Sequence, residues 1–556
     1  MRLRDIAMRR AALSPERIAY RFIDGNLEET ALLTCAELDE HARNIAAALS
    51  QWTRPGARVI IAVDSGQPFV VCLYGCLYAA RVAVPAPAPG RGRERWVRLL
   101  SVLRDATAEL IIVDSEWCRA KLVSEPLAHG CRVATADELL AGAFGVYEPP
   151  ATTPSLLLLQ YTSGSTGRPK GVMLTESSVH ANIEAIRVVL GTNADSQSVS
   201  WLPVHHDMGL IGSVLHPMQL GFPATLMSPL DFVQRPARWL QAISRYRATI
   251  SGGPPFAYRA CLDRIRVEQL RGVDLSSWKI AFVGAERITA SLLERFRERF
   301  APHGLAHSAV RACYGLAEAT LMMTCTPARE SAPMAADSEA NPEASGIASS
   351  GRCVPEHELI CVDALGKRCS DGVRGEIWVR GPSVAAGYYN RPEDTTRVFG
   401  AMCEGRGPYL RTGDLGVMSN EQLFVVGRIK DVAIVRGRKF APEDLETTIA
   451  ASHPALSSRT CAAFSAPHGD GEELVIVQEL TRSALQSTQE CVDIRASMRE
   501  QLVNMHGVSP AAILLVARGT IPRTTSGKVR RGRCRELFEQ GTLARQDPMI
   551  AHGNAP

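Results

Sequence analysis

The sequence predicts an α/β protein with a large N-terminal domain and a smaller C-terminal one. Through the first half of the chain, short apolar runs of strand length alternate with segments of helix length, which favours a largely parallel sheet. Near residue 351 the pattern changes to strand-like runs separated by turns. A chain of 556 residues is also too long for one core, so we expect two or more domains.

The first elements follow from Thr34. Thr34-x-x-Glu37 is a capping-box pattern, and the apolar spacing after it predicts an amphipathic helix that reaches Leu49. The apolar run 59–63 predicts a buried strand, and the next apolar stretch predicts a helix over 68–80. Further strands are expected at 110–113, 224–227, 248–250 and 280–283.

A β-rich subdomain is expected over 351–429, where the runs 358–362 and 376–379 lie between Gly/Asp turns. We expect it to form a small β-barrel and to complete the large N-terminal domain, 1–429. The preceding segment, 327–350, is rich in Ala, Ser, Glu and Pro, which predicts a flexible surface insertion.

A smaller, mobile α+β domain is expected over 430–556, with its hinge at Lys430. Its predicted elements are strands at 431–435 and 474–478, a helix from Pro442 and a helix around 492–502.

Composition limits the partners. The chain is 46% hydrophobic and 22% charged, as in ordinary soluble globular proteins. Its net charge of +4 comes without a basic cluster interleaved with aromatics, so no nucleic-acid partner is indicated. The apolar stretch 68–80 is too short to span a bilayer, so no stable membrane insertion is expected.

The cysteines and the N-terminus favour a cytoplasmic protein. The fifteen cysteines include no Cys-x-x-Cys pair, and the basic N-terminus lacks the apolar core of a secretory signal. We therefore expect reduced thiols and a cytoplasmic location.

Residues 161–171, Tyr-Thr-Ser-Gly-Ser-Thr-Gly-Arg-Pro-Lys-Gly, form the most informative segment. Gly164 and Gly167 let backbone N–H groups converge on an anion, and Lys170 supplies a mobile positive charge. The loop hydroxyls can donate to phosphoryl oxygens: Thr162, Ser163, Ser165 and Thr166. The segment predicts a site for a nucleoside triphosphate. It is not a Walker loop, because Lys170 is followed by Gly171 rather than Ser or Thr.

Lysine usage also indicates a special role for Lys170. Only seven of the 62 basic side chains are lysines, and three of them, Lys170, Lys430 and Lys528, lie in motif-like surroundings. A position that keeps lysine in an arginine-rich chain indicates a need for a compact, flexible ammonium.

Five motifs in order along the chain resemble those of the adenylate-forming superfamily of acyl-CoA synthetases, luciferases and peptide-synthetase adenylation domains. They are the loop 161–171, Tyr-Gly-Leu-Ala-Glu at 314–318, Arg-Thr-Gly-Asp at 411–414, Gly-Arg-Ile-Lys-Asp at 427–431 and Pro-Arg-Thr-Thr-Ser-Gly-Lys at 522–528. Segments 201–210, 227–236 and 239–254 resemble the fatty acyl-AMP ligase branch, which loads acyl groups onto carrier proteins.

The resemblance implies a two-step reaction. A fatty or related carboxylic acid attacks the α-phosphate of ATP and expels pyrophosphate, and a thiol then attacks the acyl-AMP. ATP and Mg²⁺ are the implied cofactors, with Glu318 and Thr162 as candidate metal ligands. A hard carboxylate oxygen at Glu318 suits Mg²⁺.

The resemblance also assigns the remaining site residues. Lys170 and the loop residues 162–167 would hold the phosphates, His206 would face the acyl carboxylate, and Lys528 would bridge that carboxylate and the α-phosphate. Asp414 would accept both ribose hydroxyls, and Arg428 would contact the ribose or a phosphate. The Gly284-Ala285 turn and Tyr314 resemble the adenine slot. Further nucleotide-binding residues are expected at Glu286, Cys313, Gly315 and Leu316. Lys430 would be the hinge for the small domain.

Structural alternatives accompany several of these assignments. Asp414 also suits a turn cap, Lys430 a solvated turn, and Cys313 a small apolar filler rather than a nucleophile. His205 and His206 lack a third metal ligand at suitable spacing. The apolar residues after them suit either an acyl tunnel or ordinary core packing: Met208, Leu210, Ile211 and Val214.

The acceptor thiol is the main functional alternative. No carrier domain with an Asp-Ser-Leu attachment site is present, so the implied partner is an acyl carrier protein on another chain. Segment 327–350 is shorter than the usual insertion of fatty acyl-AMP ligases, which keeps an acyl-CoA synthetase open. A silent acyl-adenylate binding protein is a third possibility, against which intact Lys170, Glu318, Asp414 and Lys528 argue.

Overall fold

The computed structural model describes residues 2–90, 92–142, 144–150, 154–162, 169–327, 346–435, 438–456, 460–468, 471–524 and 528–547. The chain divides into two compact units. The first comprises Met1–Thr412 and Val417–Val425, and the second comprises Gly413–Gly416 and Val426–Pro556. The predicted domain boundary at Lys430 stays a prediction.

The first unit contains thirteen α-helices among its described residues. They are α1 Leu3–Leu13, α2 Cys35–Trp52, α3 Gln67–Tyr78, α4 Arg93–Ala106, α5 Glu116–Val123, α6 Ala136–Ala141, α7 Glu176–Leu190, α8 His216–Leu220, α9 Pro229–Gln234, α10 Ala237–Arg245, α11 Pro255–Arg264, α12 Ala290–Phe300 and α13 Pro392–Phe399. A π-helix, Met208–Leu215, leads directly into α8.

The first fifteen strands build the two larger sheets. They are β1 Ile18–Ile23, β2 Glu29–Thr34, β3 Arg58–Ala62, β4 Val82–Pro85, β5 Leu110–Val113, β6 Arg132–Thr135, β7 Leu156–Thr162, β8 Lys170–Thr175, β9 Ser198–Ser200, β10 Ala224–Met227, β11 Ile250–Gly253, β12 Ile280–Val283, β13 Val310–Gly315, β14 Met322–Cys325 and β15 Arg352–Cys353. One sheet has six strands in the order β6-β5-β3-β4-β7-β8, and the other has nine in the order β15-β14-β13-β12-β11-β9-β10-β1-β2.

The core of this unit contains residues from both sheets and from α2 and α3. All residues of α3 from Phe69 to Tyr78 are buried, which explains why this helix is apolar on every face. Thr34 caps α2 in the predicted capping box: its hydroxyl accepts from Glu37 N, and the Glu37 carboxylate accepts from Thr34 N at 2.8 Å. Among the described residues, no helix has both the length and the apolar character needed to cross a bilayer.

Most predicted strands match, and two expectations need correction. The strand expected at 248–250 begins instead at Ile250 and runs to Gly253, where the backbone approaches β12 closely. The predicted insertion 327–350 is too long at its C-terminal end, because Ile347 and Ala348 are buried and Ile347 bridges Thr289. Residues 328–345 lie outside the described part of the chain.

The predicted β-rich subdomain is a five-stranded sheet. Its strands are β16 Glu358–Val362, β17 Arg374–Arg380, β18 Ala401–Cys403, β19 Arg406–Ser419 and β20 Gln422–Arg428. The order is β16-β17-β19-β18, with β20 paired to β19.

The second unit is smaller and mixes helices with a short sheet. Its elements are β21 Ala433–Val435, β22 Arg438–Phe440, α14 Pro442–Ser452, β23 Cys461–His468, β24 Gly471–Leu480, α15 Arg482–Gln486, α16 Thr488–His506, β25 Ala512–Ala517 and α17 Arg531–Glu539. Strands β23, β24 and β25 form one sheet, and β21 pairs with β22.

Candidate active site

Four parallel strands of the nine-stranded sheet end at one edge, and the chain segments that follow them carry the predicted site residues. The strands β9, β11, β12 and β13 pair in parallel with their neighbours. Ligands of open α/β sheets bind outside the carboxyl ends of such strands. The segments after β9, β12 and β13 contain His206, Gly284 and Leu316 respectively.

The segments after β12 and β13 approach each other closely. A Cβ atom added to Gly284 would lie 3.1 Å from Cys313 O, so a side chain there would require the neighbouring backbone to shift by a few tenths of an ångström. Ala285 has a left-handed backbone with φ +76°, and Glu286 lies 3.7 Å from Arg259. This narrow edge is where the adenine slot is predicted. Tyr314 is buried among residues that include Met323 and Leu359.

Cys313 packs against a second cysteine. Its Sγ lies 3.4 Å from Sγ of Cys325, directly opposite it on β14. The hydrogen bond with Cys325 and burial raise the pKa of the Cys313 thiol, so the thiol stays protonated at neutral pH. A protonated, buried thiol fits the role of packing residue better than that of nucleophile.

Lys170 begins strand β8, where it pairs with Thr162 at the end of β7. Its Nζ lies 2.7 Å from Oδ2 of Asp394 and 4.8 Å from the centre of the Tyr388 ring. The hydrogen bond from Lys170 lowers the pKa of the Asp394 carboxyl to about 2, with a smaller contribution from Arg397. The loop residues Ser163, Gly164, Ser165, Thr166 and Gly167 lie outside the described residues.

Glu318 lies in a short 3-10 helix, Ala317–Ala319, directly after β13. The Tyr388 hydroxyl donates to Glu318 Oε1 at 2.9 Å, and the Ala385 N–H donates to the backbone oxygen of Glu318 at 2.9 Å. Lys170 and Glu318 therefore contact the same tyrosine. A carboxylate oriented in this way, with the Thr162 hydroxyl on the neighbouring hairpin, supplies the hard oxygen donors that Mg²⁺ prefers.

His206 lies between β9 and the π-helix. Leu210 N donates to the backbone oxygen of His206 at 2.7 Å, and His206 N donates to the Pro203 oxygen at 3.0 Å. The turn requires glycine at position 209, where a Cβ atom would lie only 2.1 Å from Pro203 O. π-Helical turns are frequent at functional sites.

The neighbouring His205 is held in its neutral form, because burial lowers its pKa well below the usual value. Within the described residues, no group of three or more His, Cys, Asp or Glu side chains is placed to hold a metal ion. The apolar residues Leu210, Ile211 and Val214 belong to the main core. Core packing is thus sufficient to explain them.

In the second unit, Asp414 and Arg428 form an ion pair at 3.0 Å. Asp414 is buried, whereas the Arg428 side chain is 57% exposed. Lys430 is exposed in a short 3-10 helix, Ile429–Asp431. The structure brings Asp414 and Arg428 together, and their contact with a ribose stays a prediction.

Lys528 closes a loop whose two ends are paired. Lys528 N donates to the Thr524 hydroxyl at 3.0 Å, and Thr524 N donates to Lys528 O at 2.8 Å. Residues 525–527 between them lie outside the described part of the chain. Three residues later, α17 begins with Arg531. Burial alone would lower the pKa of this guanidinium, but its acidic neighbours, above all Glu446, raise the pKa above its usual value.

Arg531 joins three acidic side chains within the second unit. Its guanidinium donates to both Glu446 oxygens at 2.8 and 2.7 Å, lies 2.8 Å from Glu443 and lies 3.4 Å from Asp431. Only 12% of the Arg531 side chain is exposed. The cluster therefore connects the residue after Lys430 with the helix that follows the Lys528 loop.

Residues 8–389 match the AMP-binding enzyme family. The chain belongs to this family. Residues 430–547 match a second family, the AMP domain of Disco-interacting protein 2-like proteins.

Relatives in the AMP-binding enzyme family cover nearly the whole chain. A medium-chain-fatty-acid–[acyl-carrier-protein] ligase of Moorena producens is 37% identical over 97% of this chain and 95% of its own length. A long-chain-fatty-acid–AMP ligase of Mycobacterium tuberculosis is 35% identical, covering 97% and 98%. The structure of a fatty acyl-adenylate ligase from L. pneumophila, in complex with acyl adenylate and pyrophosphate, is 32% identical, covers 97% and 96%, and has a TM-score of 0.73.

These similarities confirm the predicted α/β fold and the predicted resemblance to adenylate-forming enzymes and their fatty acyl-AMP ligase branch. The roles of the individual site residues stay predictions. The structure adds two residues that sequence reasoning missed, Tyr388 and Asp394. The sequence signal for Asp394 was weak. An acidic residue is common in the first turn of a helix, because its negative charge interacts favourably with the positive end of the helix dipole.

Proposed function

We propose that this chain activates a fatty acid with ATP and transfers the acyl group to the phosphopantetheine thiol of an acyl carrier protein. In the first step a carboxylate oxygen bonds to the α-phosphorus, the bond from that phosphorus to the β-phosphate breaks, and pyrophosphate leaves. In the second step the thiol sulfur bonds to the acyl carbon and AMP leaves. The Moorena producens relative acts on the same class of acid and the same kind of acceptor, and the Mycobacterium tuberculosis relative acts on the same class of acid.

One observation supports the first step most directly: Lys170 and Glu318 contact the same Tyr388 side chain. The step brings two anions together, so it needs positive charge and fixed donors around the phosphates. Lys170 supplies a cation, and Glu318 with Thr162 would hold Mg²⁺. The ion, when bound, neutralises phosphate charge and polarises phosphoryl oxygens.

The other motif residues have proposed roles as well. Asp414 accepts the ribose hydroxyls, a task for which a carboxylate has enough acceptor positions, and Arg428 contacts the ribose or a phosphate. Lys528 bridges the acyl carboxylate and the α-phosphate, and Lys430 serves as the hinge. His206 faces the acyl carboxylate.

The decisive experiment is ATP–pyrophosphate exchange by the purified protein over a panel of carboxylic acids. We expect exchange that depends on a fatty acid and on Mg²⁺. Absence of exchange with every acid, from a protein shown to be folded, would exclude the adenylation function and leave an acyl-adenylate binding protein, which direct binding of acyl-AMP would then reveal.

The acceptor is tested separately. Holo acyl carrier protein and coenzyme A are offered side by side to the protein with the preferred acid, and thioester formation is followed by mass spectrometry. We expect faster turnover with the carrier protein; faster turnover with coenzyme A would make the chain an acyl-CoA synthetase.

A further inference from the structure

Residues 386–389 run along strand β8, whose first residue is Lys170, and the segment continues to Asp394 in the first turn of α13. Ala386 N donates to Met173 O at 3.0 Å, Met173 N donates to Gly387 O at 2.9 Å, and Tyr389 N donates to Gly171 O at 2.8 Å. This segment, named here the 386–394 segment, therefore adds backbone pairing to the open side of the hairpin that carries the phosphate loop.

A second anchor joins the same segment to strand β7 and helix α4. Arg391 donates to Asp105 Oδ1 at 2.8 Å, and the Tyr161 hydroxyl donates to Asp105 Oδ2 at 2.7 Å. Tyr161 immediately precedes Thr162. Both strands that flank the phosphate loop are thus tied to the 386–394 segment.

Two side chains of the segment hold the two charged groups of the proposed site. Asp394 accepts from Lys170 Nζ at 2.7 Å and from Arg397 at 2.5 Å. Tyr388 places its ring against the Lys170 ammonium and its hydroxyl on Glu318. Only 16% of the Lys170 side chain is exposed, so its long stem has little freedom in this arrangement.

We propose that Asp394 and Tyr388 are positioning residues for adenylation: Asp394 fixes the Lys170 ammonium and Tyr388 fixes the Glu318 carboxylate on either side of the bound phosphates. This inference rests on the proposed function. An ammonium has three donors, and Asp394 occupies one, which leaves two for phosphate oxygens.

The charges determine which kinetic parameter Asp394 controls. Removing its negative charge does not weaken attraction between the site and ATP, because the carboxylate itself repels phosphate. It does release Lys170 from a fixed position, and a group that stabilises developing charge acts only when it is held in place. Loss of Asp394 should therefore lower kcat without raising KM for ATP.

The test compares Asp394→Asn, Asp394→Glu and the control Glu393→Gln in fatty-acid-dependent exchange. Glu393 is the exposed neighbour in the same helical turn, so its variant matches the loss of charge. In metal sites, mutating a residue that supports a ligand lowers metal affinity or activity by about 10–100-fold. We expect kcat of Asp394→Asn to fall about 10-fold or more with KM for ATP unchanged or lower, Asp394→Glu to recover most of the loss, and Glu393→Gln to behave as the unmodified protein.

Binding is measured independently with α,β-methylene ATP by titration calorimetry, with thermal unfolding as the folding control. Asp394→Asn should bind the analogue at least as tightly as the unmodified protein. Tyr388→Phe keeps the ring beneath Lys170 but removes the contact with Glu318. It should weaken Mn²⁺ binding in the presence of the analogue, detected by electron paramagnetic resonance.

Three outcomes would overturn the inference: kcat of Asp394→Asn within twofold of the unmodified value, an equal loss in Glu393→Gln, or a rise in KM for ATP that accounts for the whole loss. Unchanged Mn²⁺ binding by Tyr388→Phe would overturn the role proposed for Tyr388. If the unmodified protein shows no exchange, the proposed function fails instead, and the variants are then uninformative about catalysis.

Discussion

At the scale of single residues, the site depends on charged groups held by neighbours distant in sequence. Lys170 and Glu318 lie on separate segments, and both contact Tyr388 on a third. Sequence reasoning named Lys170 from the residue types of its loop, and it named Glu318 from the resemblance to the adenylate-forming superfamily. It did not reach Tyr388 and Asp394, because their positions depend on backbone pairing between segments, which leaves no periodic pattern.

Lys170→Ala should lower fatty-acid-dependent pyrophosphate exchange by about 10²–10³-fold, the scale of one preorganised electrostatic contact. The exposed Lys279 provides a control, and Lys279→Ala should leave exchange unchanged. Initial rates over a range of ATP concentrations measure the effect. A loss below about threefold in Lys170→Ala would contradict a phosphate-binding role.

Lys528→Ala should lower adenylation by about 10²–10³-fold but spare thioester formation from supplied acyl-AMP. The reason is that its proposed contact, with the carboxylate and the α-phosphate, exists only in the first step. The two half-reactions are assayed separately, with exposed Lys367→Ala as the control. An equal loss in both half-reactions would contradict the assigned role.

At the scale of elements, buried strands were predicted well because burial on both faces leaves continuous apolar runs. The strands at 110–113, 224–227, 280–283 and 358–362 match their predicted bounds. Strand β11 was misplaced because it ends in Gly252-Gly253, where β-propensity is low. A Cβ atom at Gly252 would lie 2.2 Å from Phe282 O, so glycine is required by the close approach of the backbone there.

The tight turn at the start of the π-helix leads to a prediction about stability. Gly209→Ala should destabilise the first unit by about 3 kcal/mol, since its Cβ would overlap the Pro203 oxygen and overpacking costs about 1–3 kcal/mol or more. Gly212→Ala in the same π-helix is the matched control, because a Cβ there meets only Leu321 at 3.5 Å. Urea unfolding followed by tryptophan fluorescence measures both. Equal stability of the two variants would show that the turn around His206 can relax.

At the scale of the whole molecule, buried histidines should limit stability in mild acid. Burial lowers the pKa of His216 to about 4, whereas an unfolded chain has an ordinary histidine pKa near 6.5. The contribution of neutral His216 to the free energy of unfolding is therefore fully present above about pH 6.5. It is lost as the pH falls from about 6.5 towards 4, because only the unfolded chain takes up the proton.

His216→Gln should reduce the slope of unfolding free energy against pH between about 4 and 6.5. Exposed His180→Gln should leave the slope unchanged. Denaturant titrations at several pH values give the slopes. Identical slopes for the unmodified protein and His216→Gln would show that His216 does not carry the acid sensitivity.

The division of the whole molecule was less predictable than its elements. Composition suggested that 327–350 is one surface insertion, yet Ile347 and Ala348 are buried, because a short apolar run can enter a core without any periodic signal. The second unit also includes Gly413–Gly416, which the nine residues Val417–Val425 separate from its main segment.

The Arg531 cluster has a consequence for recombination between homologous proteins. Asp431, Glu443, Glu446 and Arg531 satisfy one another's charges across separate segments, so their energies are coupled rather than additive. A chimera whose crossover falls between Glu446 and Arg531 joins acids and base from different parents, and a mismatch leaves an unpaired ion in the interior. If the crossover lies before Asp431, the chimera inherits all four residues from one parent.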